Sequence, residues 1–162
     1  IMCRVWVSGD DVNTDVIFPG KYTYSITDPT EMARHALEDL DPTFADAVQP
    51  GDIIVAGSNW GCGSSREQAV ICLKEAGVAA IVARSFARIY FRNCINHALP
   101  IVTCDAVDSV ETGDEITIDF EAGTVTTPEA TYTFPPLSPE VMEILDDGGL
   151  IPHARRQLGL SG

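Results

Sequence analysis

The sequence lacks any long run of apolar residues. Nothing in its 162 residues approaches the roughly 18–20 consecutive apolar residues that span a bilayer, and no signal-peptide pattern opens it. Apolar side chains still make up 45% of the residues, an ordinary share for a globular protein with a buried core. We therefore expect a cytoplasmic protein that binds no membrane, and the length favours a single domain over residues 1–162.

Basic residues are scarce. Ten Lys and Arg stand against 24 Asp and Glu, which gives a net charge of −14. This balance argues against a nucleic-acid partner, because phosphates require a basic face. The acidic residues are spread along the chain, as is typical of a solvated surface.

The spacings of metal ligands and disulfide frameworks are missing as well. The five cysteines are odd in number and include no CxxC pair, and the three histidines show no HxxxH or HxH relation. We therefore expect neither disulfides nor a metal site on this chain.

The sequence does contain a regular alternation of strand and helix patterns. Three apolar runs of strand type enclose two helical patterns, and in chain order these segments cover 52–57, 65–77, 78–85, 86–98 and 99–104. Such a β-α-β-α-β series predicts parallel strands with right-handed crossovers. From Asp114 onward the period changes to two, which predicts an antiparallel β addition. The expected fold class is therefore α/β.

One loop between the first of these strands and its helix is unusually rich in glycine and serine: GSNWGCGSSREQA, residues 57–69. Ligands of parallel sheets bind beyond the carboxyl ends of the strands, and the start of a helix attracts anions. The glycines let the backbone approach a ligand or adopt a positive φ, and Arg66 is suited to hold a carboxylate. The local pattern alone predicts an anion-binding loop.

The same letters also fit a purely structural role. Ser64 and Glu67 have the spacing of a capping box, and Ser65 and Gln68 repeat it one residue later. An arginine in the first helical turn weakens this alternative, because the helix dipole disfavours a cation there. The lysine of a Walker loop and the GxSxG of a serine hydrolase are both missing.

A family resemblance is carried by three segments: NWGCGSSREQA, RSFARIYFRN and DDVNTDVIFPGKY. Together they closely resemble the small subunits of 3-isopropylmalate dehydratase, which are swivel domains of the aconitase superfamily. The resemblance runs from about residue 4 to about residue 158 in the same order. It implies an aconitase-type swivelling β/β/α domain with a parallel β-α-β-α-β core.

The resemblance also implies an activity and a partner. The expected activity is that of a hydro-lyase of leucine biosynthesis, which isomerises a hydroxy-dicarboxylate by removing and restoring water. The chain is expected to be active only with a large subunit, in a heterodimer or heterotetramer. A [4Fe-4S] cluster is expected on that large subunit, so that this chain itself binds no cofactor and no metal.

The resemblance further implies roles for single residues. Ser64 matches the serine base that removes a proton from the substrate carbon. Arg66 matches the arginine that binds a substrate carboxylate and stabilises the serine alkoxide. Asp15 matches an acidic active-site residue, with an Asx turn as its alternative. Gly63 and Ser65 lie in the same loop, and we expect them to contact the substrate.

The loop after Pro19 departs from the family pattern. Many relatives carry a tyrosine-leucine-arginine type of motif there, whereas this chain has KYTYSITDP without that arginine. The expected substrate-binding residues of this loop are Tyr22, Thr23, Tyr24, Ser25 and Ile26. Apolar surface and hydroxyls without a cation predict an alkyl-substituted malate, such as isopropylmalate, rather than an acid with a third carboxylate.

Two alternatives to isopropylmalate isomerisation stay open. One is the same chemistry on methylmalate/citraconate, dimethylmalate or homoaconitate. The other is a non-catalytic anion-binding module in which Ser64 only caps a helix. Cys62 is predicted to be a small buried residue, because no histidine is paired with it. Three arginines are predicted to be structural or to face the other subunit: Arg84, Arg88 and Arg92.

Overall fold

The computed structural model describes residues 3–159, which share one mixed seven-stranded sheet. In chain order its strands are β1 (Cys3–Val7), β2 (Ile53–Ala56), β3 (Ala80–Ala83), β4 (Ile101–Thr103), β5 (Glu115–Asp119), β6 (Thr124–Thr126) and β7 (Thr131–Thr133). Their order across the sheet is β4-β3-β2-β1-β5-β6-β7. The first four strands pair in parallel, and the last three join them antiparallel. The predicted α/β fold, with a parallel core and an antiparallel addition, is confirmed.

Seven α-helices connect and flank these strands within residues 3–159. They are α1 (Thr14–Ile17), α2 (Pro29–Arg34), α3 (Phe44–Ala47), α4 (Gln68–Glu75), α5 (Arg88–Asn96), α6 (Pro139–Asp146) and α7 (Leu150–Gln157). None of them has the length and apolar composition needed to cross a membrane. The predicted domain, 1–162, includes two residues before and three after the described range, and its unity as one domain stays a prediction.

The sheet separates two apolar layers, because successive side chains of a strand point to opposite faces. On one face, Ile54 and Ile81 pack with the buried sides of α4 and α5. On the other face, Val55 and Val82 pack with the antiparallel addition, which contributes Val125 among others. The molecule therefore has the β/β/α layering that the resemblance implies.

A buried carboxylate ties β1 to the start of β2. Oδ2 of Asp52 accepts hydrogen bonds from Arg4 Nη2 at 2.8 Å, from Trp6 Nε1 at 2.9 Å and from the Gln49 N–H at 2.9 Å. Burial acts to raise the pKa of Asp52, but these hydrogen bonds outweigh it and hold the pKa below its usual value. The ionised Asp52 thereby fixes the two strands whose carboxyl ends carry the site described next.

Candidate active site

The glycine-serine loop lies at the carboxyl end of β2 and runs beside the segment that follows β1. The Gly61 N–H donates to Val12 O at 2.8 Å, and the Thr14 N–H donates to Cys62 O at 2.8 Å. The hydroxyl of Thr14, a residue only 2% exposed, donates to Ser64 O at 3.0 Å. The backbone of Ser64 is therefore positioned by a segment fifty residues earlier in the chain.

The loop also presses onto α5. Gly61 has a φ of +82°, and a Cβ at this position would lie 2.2 Å from Cγ of Tyr90. Tyr90 is buried, and its hydroxyl donates to Ala69 O at 2.8 Å. Burial raises the pKa of this hydroxyl well above its usual value, so it remains a neutral donor. Only a glycine lets the loop approach the tyrosine ring so closely.

The capping prediction for this loop is wrong. α4 begins at Gln68, and Glu67 precedes it with helical backbone angles and no side-chain cap. Ser64 and Ser65 lie before the helix and exposed to solvent, and neither hydroxyl has a hydrogen-bond partner within residues 3–159. Arg66 likewise precedes the helix instead of lying in its first turn. The serine hydroxyls are therefore available for chemistry.

Asp15 and Arg66 meet beside the loop. Nη1 of Arg66 donates to Asp15 Oδ1 at 2.8 Å and to Phe18 O at 3.0 Å, and the guanidinium carbon lies 5.6 Å from the centroid of the Phe18 ring. Gly20 leaves room for this pair, because a Cβ there would lie 3.2 Å from Asp15 Oδ1. Asp15, carried by α1, therefore orients Arg66.

The other donors of Arg66 are free. Its side chain is only 10% exposed, and its Nε and Nη2 are buried without a partner in the described part of the chain. A buried polar group without a partner costs roughly 1–3 kcal/mol, and a charged one costs more. The guanidinium thus has unused capacity for a carboxylate.

Two cavities flank the segment Ser64–Arg66. The larger has a volume of about 700 Å³, within the size range of small-molecule sites. Besides this segment it is lined by Asp15, Gly20, Thr23, Tyr24, Glu67, Gln68 and Ile71. The smaller cavity, about 190 Å³, opens toward α5. Arg66 is the one cationic side chain that lines the larger cavity in the range 3–159.

Part of the predicted substrate loop reaches the larger cavity. Thr23 and Tyr24 line it, and the Tyr24 side chain stands 96% exposed at its edge. Nε2 of Gln68 donates to Thr23 O at 2.8 Å and fastens this part of the loop to α4. These two loop residues are thus brought together with Ser64 and Arg66.

The rest of the loop lies away from both cavities. The ring of Tyr22 packs 4.1 Å from that of His35, and its hydroxyl donates to Glu38 at 3.1 Å. Ile26 is 8% exposed and belongs to the core, whereas Ser25 is exposed but lines neither cavity. A direct contact of these three loop residues with substrate stays a prediction.

The smaller cavity contains residues that the sequence did not assign to a site. Asn93 and Arg88 of α5 line it together with Gly63, whose φ is +97°. Both side chains belong to the segment RSFARIYFRN, so the signal that could have found them was the resemblance itself. Arg84, by contrast, pairs with Asp108 and supports the fold.

The cysteines are dispersed over the molecule. Cys72 and Cys94 are buried in the helical layer, and burial raises the pKa of both thiols far above their usual value. Cys62 was predicted to be buried but is half-exposed, because it lies in the loop beyond the carboxyl end of β2 and outside the core. In the described part of the chain, no cysteine belongs to a group of three possible metal ligands.

One group of possible ligands exists elsewhere, within residues 3–159, and consists of Glu143, Asp147 and His153. Nε of Arg156 donates to Asp147 Oδ2 at 2.8 Å, and its guanidinium also bonds Glu143. The positive charge that these carboxylates require is therefore supplied by an arginine of the chain.

A family model described as the aconitase C-terminal domain matches residues 13–106. Among similar proteins, the 3-isopropylmalate dehydratase small subunit of Moorella thermoacetica is 49% identical over 156 residues, covering 94% of this chain and 93% of its own length. The methanogen homoaconitase small subunit of Methanothermobacter thermautotrophicus is 48% identical over 165 residues, covering 98% of this chain and 94% of its own length.

A solved structure extends the similarity to three dimensions. The crystal structure of 3-isopropylmalate dehydratase from Methanocaldococcus jannaschii matches with a TM-score of 0.92 at 41% identity. The match covers 98% of this chain and 95% of that one.

Proposed function

The chain belongs to the family of 3-isopropylmalate dehydratase small subunits, within the aconitase superfamily, and we propose on that basis that it isomerises isopropylmalate together with a large subunit. The reaction class is that of a hydro-lyase. The observation that carries the proposal is the segment Ser64–Arg66, in which a solvent-exposed serine hydroxyl without a hydrogen-bond partner lines the same two cavities as a guanidinium with two buried, unpaired nitrogens.

Ser64 acts as the base in this proposal. Its oxygen takes the proton from one substrate carbon while the hydroxyl leaves the neighbouring carbon, and the reverse steps return the water with the hydroxyl moved. A serine hydroxyl is a very weak acid, so its alkoxide needs preorganised positive charge and N–H donors. Each well-placed donor contributes roughly 3 kcal/mol. Arg66, held by Asp15, supplies the charge, and it lines the same two cavities as Ser64.

The cysteines of this chain do not fit a [4Fe-4S] cluster. Cys72 and Cys94 are buried in the helical layer, and no cysteine of the described chain shares a ligand group with two others. We assign the cluster to the large subunit, where it supplies Lewis-acid chemistry for the departing hydroxyl when bound. The small subunit contributes the base and side chains that bind the substrate carboxylates.

The larger cavity favours an alkyl-substituted malate. Its one described cation is Arg66, and its acidic side chains are Asp15 and Glu67. Lys21 does not add a charge here, because its Nζ lies 3.9 Å from Glu38 Oε2 instead of lining the cavity. A third substrate carboxylate would therefore meet no further cation of this chain in the larger cavity, whereas an isopropyl group can pack beside the exposed ring of Tyr24.

Homoaconitate isomerisation is the second candidate, supported by the 48% identity to a homoaconitase small subunit. A substrate panel separates the two. The chain is combined with its cluster-bearing large subunit without oxygen, and the unsaturated intermediate is followed by ultraviolet absorbance. Preference for isopropylmalate over cis-homoaconitate, citraconate and dimethylmalate supports the proposal. Preference for another acid keeps the chemistry but replaces the substrate, and turnover by the chain alone contradicts the division between subunits.

Replacing Ser64 with alanine tests the base. We expect kcat to fall by roughly 10²–10⁴-fold, the usual contribution of a positioned acid or base, while the complex still forms. Ser58→Ala is the matched control, since this serine lies in the same loop but lines neither cavity. A Ser64→Ala complex that keeps full turnover would show that another group takes the proton.

A further inference from the structure

The smaller cavity lies between the glycine-serine loop and the N-terminus of α5. Its volume of about 190 Å³ is below the roughly 300–1,000 Å³ of sites that enclose a whole small molecule. Ser64 and Arg66 line it, so it adjoins the proposed base directly. No acidic side chain lines it. The cavity is thus suited to one end of a ligand that also contacts Ser64.

The first turn of α5 offers free donors to this cavity. The N–H groups of Arg88, Ile89 and Tyr90 have no acceptor within residues 3–159, and Ala87 before them provides no side-chain cap. Residues 87–90 all line the cavity. Uncapped N–H groups and the positive end of the helix dipole together favour an anion.

Asn93 is an independent indication of a ligand. This side chain is 9% exposed, lines the cavity and has no hydrogen-bond partner in the described part of the chain. Its amide nitrogen and oxygen are not fully buried, so they are accessible to a ligand in the cavity that the residue lines. Arg66, which lines both cavities, has two buried nitrogens, Nε and Nη2, without a partner in the described chain.

The charge around the cavity points to the same kind of ligand. Arg88 places a cation in the first turn of a helix, where the dipole repels it, and no described carboxylate pairs with it. Arg66 adds a second cation, so two of only ten basic residues in a chain of net charge −14 line one small cavity. A bound anion would relieve this repulsion.

We propose that the smaller cavity binds one carboxylate of the hydroxy-diacid substrate, through Arg88, the Asn93 amide and the free N–H groups of α5. This inference rests on the proposed function and adds two binding residues to it. The other substrate carboxylate then interacts with Arg66 from the larger cavity. The two carboxylates lie on either side of Ser64, which places the two carbons between them within reach of the base.

The test is a kinetic comparison in the complete complex with 3-isopropylmalate. Arg88→Gln is expected to raise KM by roughly 10–100-fold, the loss of a charge-assisted hydrogen bond, with kcat changed less than about threefold. Arg88→Lys restores part of the loss. Arg92→Gln is the matched control, because this exposed arginine of the same helix does not line the cavity. An unchanged KM for Arg88→Gln overturns the proposal.

A binding measurement covers the case in which a variant alters the fold. Heteronuclear NMR of the unmodified chain, alone and in the complex, is followed during titration with 2-isopropylmalate. The N–H resonances of residues 88–90 and the Asn93 side-chain amide are expected to shift, and Asn93→Asp is expected to weaken binding by at least about tenfold, because it adds a negative charge. Shifts confined to the loop at 20–27 overturn the proposal.

The outcomes separate this inference from the proposed function. Turnover of isopropylmalate by the unmodified complex decides the function, whatever the variants do. A normal unmodified complex with normal kinetics for Arg88→Gln removes only the inference. Weaker association of the subunits by Arg88→Gln, with an unchanged KM once they are assembled, assigns the cavity to a carboxylate of the large subunit and also overturns the proposal.

Discussion

At the scale of single residues, the contacts of Arg66 fix the position of the positive charge in the site. Arg66 is fixed by Asp15, the Phe18 carbonyl and the Phe18 ring, and these contacts use only one of its three nitrogens for hydrogen bonding. The guanidinium is therefore oriented before a ligand arrives. Such preorganisation reduces the entropy that binding would otherwise cost.

The charge of Asp52 stabilises the fold at neutral pH and is lost in acid. Asp52→Asn is expected to lower the free energy of unfolding by about 1.5–3 kcal/mol at neutral pH, because the hydrogen bonds from Arg4 and Trp6 would lose their charged acceptor. The pKa of Asp52 is lowered in the folded state. Its stabilisation is therefore complete above the unfolded carboxyl pKa of about 3.9 and is lost as the pH falls through the folded pKa.

Denaturant unfolding of both proteins from neutral pH to about pH 2 measures this effect, and the two curves are expected to converge at the acid end. Asp46→Asn is the control, since Asp46 is exposed and has no partner in the described chain. A constant difference between Asp52→Asn and the unmodified protein across this pH range would contradict the assignment.

Among the structural elements, the contact between the glycine-serine loop and α5 determines the shape of the site. Gly61→Ala is expected to destabilise the protein by about 2–6 kcal/mol. A positive φ costs a non-glycine residue about 1–3 kcal/mol, and overpacking against Tyr90 adds about 1–3 kcal/mol. Thermal or denaturant unfolding measures the sum.

Gly51→Ala isolates the backbone part of this effect. Gly51 has a φ of +95°, but a Cβ there would meet nothing within 4 Å. The Gly51 variant should therefore lose only the strain of about 1–3 kcal/mol. Equal losses for both glycines would mean that Tyr90 does not restrict the loop.

The elements themselves differ in how readily the sequence predicts them. β2 and β3 were predicted because each is a continuous apolar run, as expected of strands buried on both faces, and α5 was predicted from its helical pattern. α1 was not predicted, since four residues are too few for a periodic pattern. The start of α4 was misplaced because the backbone of Ser64 is fixed by Thr14 and does not enter the helix.

For the molecule as a whole, the two-layered core shields the thiols of Cys72 and Cys94 from solvent. Cys72 and Cys94 lie in the core, and burial raises the pKa of both thiols. We expect them to react with a thiol reagent only through global unfolding, because core helices and strands are the elements whose opening costs the full free energy of unfolding. The free energy from their labelling rates should equal that from denaturant unfolding.

Cys62 provides the comparison within the same chain. It is half-exposed beside Ser64, so it is expected to react in the native state, and more slowly when isopropylmalate and the large subunit are bound. Labelling of Cys72 or Cys94 at the rate of Cys62 would show that the helical layer opens locally.

The sequence by itself determined the fold class, the family resemblance and the identity of the proposed base. Strand and helix periods are local, and the motif GSSRE is contiguous, so both are recognisable in the sequence without knowledge of the tertiary structure. Only the tertiary structure decided that Ser64 does not cap α4 and that Ile26 lies in the core. It alone decided which residues form the cavities. Asp15, Arg66 and Asn93 are distant in sequence, and the fold brings them to the cavities beyond the carboxyl ends of the parallel strands.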